Sequence, residues 1–143
     1  MPSNPAGSFP SSGRPGRKVI SGPDGTPPPV GPYSTGIEAG GWLFLSGQIA
    51  LQNDGKIVSG GVQAEARLIF ERLGNLLSSA GYSAKDVVKL TIYLTDLSCF
   101  QTVNEACSSF FKEPYPARVT VGVSELPKGG NLEIDVIAFQ EGR

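Results

Sequence analysis

Arg118 and Glu133 are the residues of this chain whose setting most invites chemistry. Arg118, Thr120 and Gly122 alternate with Val119, Val121 and Val123, and Glu133 and Asp135 alternate with Leu132, Ile134 and Val136. A strand has a side-chain period of two, so each polar set occupies the face opposite its apolar set. If the two strands are neighbours, Arg118 and a carboxylate share a face that helices do not obviously cover. A planar guanidinium holds a carboxylate through two parallel charge-assisted bonds, and a glutamate can orient a water and take its proton. On pattern alone Arg118 reads first as a surface ion pair or strand-end cap, and Glu133 as a solvent-face carboxylate. Tyr33 in Gly31-Pro32-Tyr33-Ser34 reads as turn packing, Ser46-Gly47 as a strand terminus, and Asn104 as a solvated helix residue.

The chain contains no histidine and two cysteines. His-based triads, His general bases and His-containing zinc sites are excluded, and two cysteines alone cannot complete a structural zinc site. If Cys99 and Cys107 lie on one helix, about 12 Å separates them, too far for a disulfide. They read as free, core-facing thiols suited to a reducing compartment.

Several elements must carry these residues. Residues 37–39 and 42–46 flank Gly40-Gly41, the pattern of a hairpin. Val62, Ala66, Ile69, Phe70, Leu73, Leu76 and Leu77 share one helical face, which predicts a helix over 62–80 stopped by Gly81. Residues 86–95 are rich in β-branched side chains and read as a strand. Ser98 with Gln101 resembles a capping box opening a second helix, whose apolar face is Phe100, Val103, Cys107, Phe110 and Phe111 and which ends before Pro114. Two alternating strands close the chain. The order ββαβαββ predicts an α+β layer, two helices on one sheet face. Ile137 and Phe139 then lie on the second face, for which self-association is the economical cover.

The first 29 residues are mostly Pro, Gly and Ser and are expected to be a disordered or loosely packed tail, with Val19-Ile20 as a short edge strand; residues 30–143 form one domain. Beyond the tail, 9 Lys and Arg face 12 Asp and Glu, so no basic stripe suggests nucleic acid. No apolar run approaches a membrane span. A cytoplasmic location is expected; the acid-poor tail leaves organellar targeting open, although its prolines oppose an amphipathic presequence helix.

Taken together, VGPYSTGIEAGGWLFLSGQI, DVVKLTIYLTDL, FQTVNEACSSFF and PARVTVGVSELPKGGNLEIDVIAF resemble the RidA (YjgF-like) family of reactive-intermediate deaminases, from about Val30 to Phe139. The most specific segment is Pro116-Ala117-Arg118, followed by Leu126-Pro127-Lys128 and Glu133-Ile134. The resemblance implies a chorismate-mutase-like (bacillus type) α+β fold, with a mixed sheet and two helices on one face. It implies a homotrimer with intersubunit sites. It also implies a cofactor-independent, metal-free hydrolase of the 2-iminobutanoate/2-iminopropanoate deaminase type. Such an enzyme turns 2-aminoacrylate-type enamines and imines bearing a carboxylate into 2-keto acids and ammonia. Matching the family's functional positions are Tyr33, Ser46, Gly47, Asn104, Arg118, Thr120 and Glu133. In that picture Arg118 holds the substrate carboxylate, Glu133 and backbone near Thr120 orient water, and Tyr33 closes the pocket or moves a proton. Thr120 stands where some members have Cys. Two other readings remain: a non-catalytic trimer binding small carboxylates or partner proteins, and a ribonuclease or translation inhibitor, which the acidic balance disfavours.

Overall fold

The computed structural model describes residues 14–143. Its elements are β1 (Lys18–Ile20), β2 (Gly36–Ala39), β3 (Trp42–Ile49), α1 (Gly61–Ser79), β4 (Val87–Leu94), α2 (Phe100–Phe110), β5 (Ala117–Gly122) and β6 (Leu132–Phe139). The strands form one mixed sheet in the order β1-β2-β3-β6-β4-β5. Among the described strands only β4 and β5 pair in parallel, with α2 in the crossover that such a pair needs. The α+β expectation and its helices hold.

The edge strand expected at Val19-Ile20 pairs with β2, and Ile20 is buried, so part of the expected loose tail is built into the sheet. Residues 1–13 of that tail lie outside the described residues.

Helix α1 follows its apolar stripe: Ala66, Ile69, Phe70, Leu73, Leu76 and Leu77 are buried. It stops as expected at Gly81, whose φ is +84°. Tyr82 N–H donates to Leu77 O at 2.8 Å and Gly81 N–H to Ser78 O at 3.0 Å, the paired bonds of a glycine-ended helix. The capping box expected at Ser98 and Gln101 does not form. Asp96 takes the role instead, accepting from Ser98 N–H at 3.0 Å and opening a 3-10 turn (Leu97–Cys99) that runs into α2. Cys99 therefore sits at the helix start, half-buried, while Cys107 is in the core; both are free.

Leu43, Leu45, Leu90, Ile92, Leu94, Leu132, Ile134, Val136 and Ala138 face the helices and are buried with the α1 stripe, Val103 and Phe111. Each such fully buried Leu, Ile or Val side chain contributes about 1.5–3 kcal/mol. The opposite face carries Trp42 and Phe44 from β3 and Ile137 and Phe139 from β6, with Phe44 46% exposed.

The final strands correct the sequence reading. They are not neighbours, because β4 lies between β5 and β6. In the parallel register Arg118 pairs with Leu90, Thr120 with Ile92 and Gly122 with Leu94, all helix-side positions. Val119 and Val121 pair with Thr91 and Tyr93 on the open face and are 41% and 38% exposed. The valines thus point away from the helices, on the outer face of an edge strand that no described residue covers.

Candidate active site

Six of the seven residues expected to form one site fall into two cavities, and Thr120 lines neither. The first has about 370 Å³ and is lined by Tyr33, Ser46, Gly47 and Glu133, together with Pro27–Val30, Gln48, Ile49, Leu51, Arg72 and Pro127. It forms where β3 outruns β2. Between Leu45 and Gln48 the pairing of β3 with β6 shifts register, and Ser46 and Gly47 occupy this bulge, not a strand terminus. Ser46 holds the incoming segment in place: its N–H donates to Thr35 O at 2.9 Å and its Oγ to Ser34 O at 2.6 Å. That segment presents Tyr33, whose hydroxyl accepts from Val30 N–H at 3.3 Å and whose ring is half-exposed.

Glu133 reaches this cavity from the open face of β6, opposite Ile49 and Tyr93. A Cβ on Gly47 would run into the Glu133 carboxylate, so only glycine admits that carboxylate against the β3 backbone. Burial, and then the charge of Asp135, push the Glu133 carboxyl above the ordinary carboxylate range. Tyr93 donates to Asp135 Oδ2 at 3.1 Å, and burial followed by that bond raises the phenol. A carboxyl displaced upward is a better proton acceptor and donor near neutral pH than an ordinary surface glutamate.

The second cavity, about 310 Å³, is lined by Arg118 and Asn104 with Leu90, Cys107, Ser108, Phe111, Tyr115 and Pro116. The guanidinium carbon of Arg118 lies 5.2 Å from the Phe100 ring centroid, a cation–π contact that braces the side chain. Arg118 has no carboxylate partner among the described residues, which removes the surface ion-pair reading. Burial pushes the nearby Cys107 thiol up, against the opposing pull of Arg118. Thr120, two residues further on the same face, has a buried Oγ1 with no hydrogen-bond partner among the described residues, which is uncommon for a buried hydroxyl.

Arg118 and Glu133 therefore do not share a face within one chain. One stands on the helix side of an edge strand and the other on the open side of a central strand. Asn104 joins Arg118; Tyr33, Ser46 and Gly47 join Glu133.

Sequence reasoning missed three contributors. Pro27–Pro29 lie within the expected tail, yet they line the Glu133 cavity. Arg72 lines it too, and burial lowers its guanidinium below the ordinary range. Glu65 is 1% exposed on α1. It falls between Val62 and Ala66 in the apolar stripe, and a carboxylate in that stripe is the signal that would have found it. Among the described residues no group of three or more Cys, Asp or Glu is arranged to hold a metal ion, and no helix is long and apolar enough to cross a membrane.

The chain is similar to proteins of known name along nearly all of its described length. The family model described as endoribonuclease L-PSP matches residues 24–140. A human 2-iminobutanoate/2-iminopropanoate deaminase is 40% identical over 125 residues, covering 87% of this chain and 90% of the human one. A RutC family protein of Pyrococcus horikoshii is 44% identical over 119 residues, covering 82% of this chain and 94% of its own. The crystal structure of E. coli TdcF with bound serine superposes with a TM-score of 0.79 at 39% identity, over 87% of this chain and 99% of TdcF. With the family model spanning most of the sequence and these relatives matched almost end to end, the chain belongs to the endoribonuclease L-PSP family, the RidA (YjgF-like) proteins.

Proposed function

We propose that this protein hydrolyses 2-aminoacrylate-type enamines and their imine tautomers to 2-keto acids and ammonia, as a homotrimer whose sites lie between subunits. The observation that carries the reading is Arg118: an unpaired guanidinium, braced on Phe100, over a cavity of largely apolar walls. Such a group recognises a small carboxylate by charge and by the direction of its fork. The name of the human relative supplies the imine. TdcF, which holds serine, adds a small amino acid with a carboxylate.

A trimer brings the half-sites together. The open sheet face with Trp42, Phe44, Val119 and Val121 is the apolar surface a second copy would cover. The Arg118 half of one subunit then meets the Glu133 half of its neighbour. Arg118 and Asn104 bind the carboxylate, and Glu133 faces the C=N carbon through a water. Water adds to that carbon, its proton passes to Glu133, and Glu133 hands that proton to the nitrogen, giving a carbinolamine. The carbinolamine hydroxyl then gives its proton to Glu133, Glu133 passes it to the amine, and the C–N bond breaks with its electron pair leaving on ammonia as the keto C=O forms. One water is consumed, and no oxidant, reductant or cofactor enters the balance. Tyr33 limits the mouth of the cavity.

The test generates an imine with an amino acid oxidase and traps what survives with semicarbazide. Wild type should diminish trapping, and Arg118→Ala should lose a charge-assisted pair of roughly 1.5–3 kcal/mol, about 10- to 150-fold in kcat/KM. Wild type that leaves trapping unchanged for every imine tried overturns the enzyme reading in favour of a non-catalytic carboxylate binder.

A further inference from the structure

We propose that Glu65 is a positioning residue of this site, its buried carboxylate clamping Asn131 so that Pro127 and Glu133, on either side of Asn131 in the chain, reach the same cavity. The inference rests on the deaminase reading and adds to it a residue that touches no substrate.

Asn131 N–H donates to Glu65 Oε1 at 2.8 Å, and Asn131 Nδ2 donates to Glu65 Oε2 at 2.7 Å. The other two polar atoms of Asn131 turn towards the end of β4: its backbone O accepts from Thr95 N–H at 3.2 Å and its Oδ1 from Thr95 Oγ1 at 3.4 Å. Asn131 is thus held at all four polar atoms between α1 and the residue after β4. The segment before it contains a turn, Pro127–Gly129, in which Lys128 has φ +61°, a left-handed conformation costly for a residue with a Cβ. Pro127 lines the Glu133 cavity, and Glu133 lies two residues after the clamp. Holding Asn131 therefore holds both ends of the segment that builds one wall.

The apolar stripe of α1 gives no packing reason for a carboxylate at this position. Glu65 lies in the apolar stripe of α1 with no cationic partner among the described residues, where an aliphatic side chain would bury at lower cost. Its geometry is specific in a way an aliphatic contact is not, since two acceptors meet two donors of a single residue.

That complementarity supplies the experiment. Glu65→Gln turns one acceptor into a donor facing a donor, and Asn131→Asp sets two carboxylates against each other. In the double variant the amide introduced at position 65 accepts the backbone N–H and donates to the new carboxylate, while Thr95 keeps its acceptor, so the pairing is restored. In the imine-trapping assay each single change should lower kcat by about tenfold or more with KM within about twofold, because Arg118 holds the carboxylate and the displaced group is Glu133. The double variant should recover kcat to within about threefold of wild type. A merely structural role would lower the thermal midpoint and leave kcat per folded protein unchanged; that result, or a double variant no better than the singles, overturns the inference. If Glu65→Gln does not fold, Asn131→Ala keeps the backbone bond and should give the same kcat loss. An inactive wild type would remove the deaminase reading and this inference with it; an active wild type with unimpaired singles removes the inference alone.

Discussion

Gly47→Ala isolates the placement of Glu133 from the fold. The φ of Gly47 is outside the left-handed region, so alanine fits the backbone without strain and the bulge should survive. What a methyl group meets is the Glu133 side chain: Cδ would lie 2.8 Å away and Cγ 3.1 Å away, with the carboxylate oxygen nearer still. Ordinary contact begins near 3.4 Å, so the carboxyl carbon must retreat by about 0.6 Å and the oxygen by more. A misplacement near 1 Å costs on the order of 10²-fold in rate, about 2.7 kcal/mol of transition-state stabilisation. Gly47→Ala should therefore lose about 10²-fold in kcat, approaching Glu133→Gln, with a change in thermal midpoint of only a few degrees. The assay is the same imine trapping, at several concentrations of the oxidase substrate, beside a thermal melt. A Gly47→Ala protein with kcat within about threefold of wild type would refute the claim that the reaction needs Glu133 against the bulge.

Three other outcomes follow from the geometry. Asp135 is the second cause of the raised Glu133 carboxyl, so Asp135→Asn should move the acid limb of the kcat/KM–pH profile to lower pH; an unmoved limb would detach that limb from Glu133. A carboxyl raised in the folded state binds its proton more tightly there than when unfolded. The native state therefore loses stability as pH rises through the folded value, and Glu133→Gln should raise the thermal midpoint at pH 7, with the gain vanishing below about pH 4, under the unfolded value. Phe44→Asp, at a 46% exposed position on the open face, should turn the proposed trimer into smaller species in size-exclusion chromatography with light scattering while leaving the monomer folded; an unchanged mass places the interface elsewhere.

What the sequence could say about the fold depended on how much of each element faced the core. The stripe from Ala66 to Leu77 and the alternation from Leu132 to Ala138 were legible because one complete face of each is buried. Val119 and Val121 misled because alternation reports two faces without saying which one meets the helices. On an edge strand that an oligomer would cover, the apolar face points outward, and this reversed the side assigned to Arg118. The cap at Asp96 was hidden because its side chain serves a 3-10 turn one step ahead of the helix. Of the site, the residue types were legible through family resemblance, while their division between two cavities was not. That division follows from β4 lying between β5 and β6, a long-range pairing that no local pattern encodes.

The central claim, that a working site takes Arg118 from one subunit and Glu133 from the next, is tested by mixing two impaired proteins. Arg118→Ala and Glu133→Gln are each expected to keep about a tenth of wild-type activity or less alone. Unfolded together and refolded at equal amounts, they should form mixed trimers in which about a quarter of the intersubunit sites combine an intact arginine half with an intact glutamate half. Activity should recover to about a quarter of wild type. If the mixture stays as inactive as its components while affinity capture of differently tagged chains shows that mixed trimers have formed, each site lies within one chain and the account is wrong.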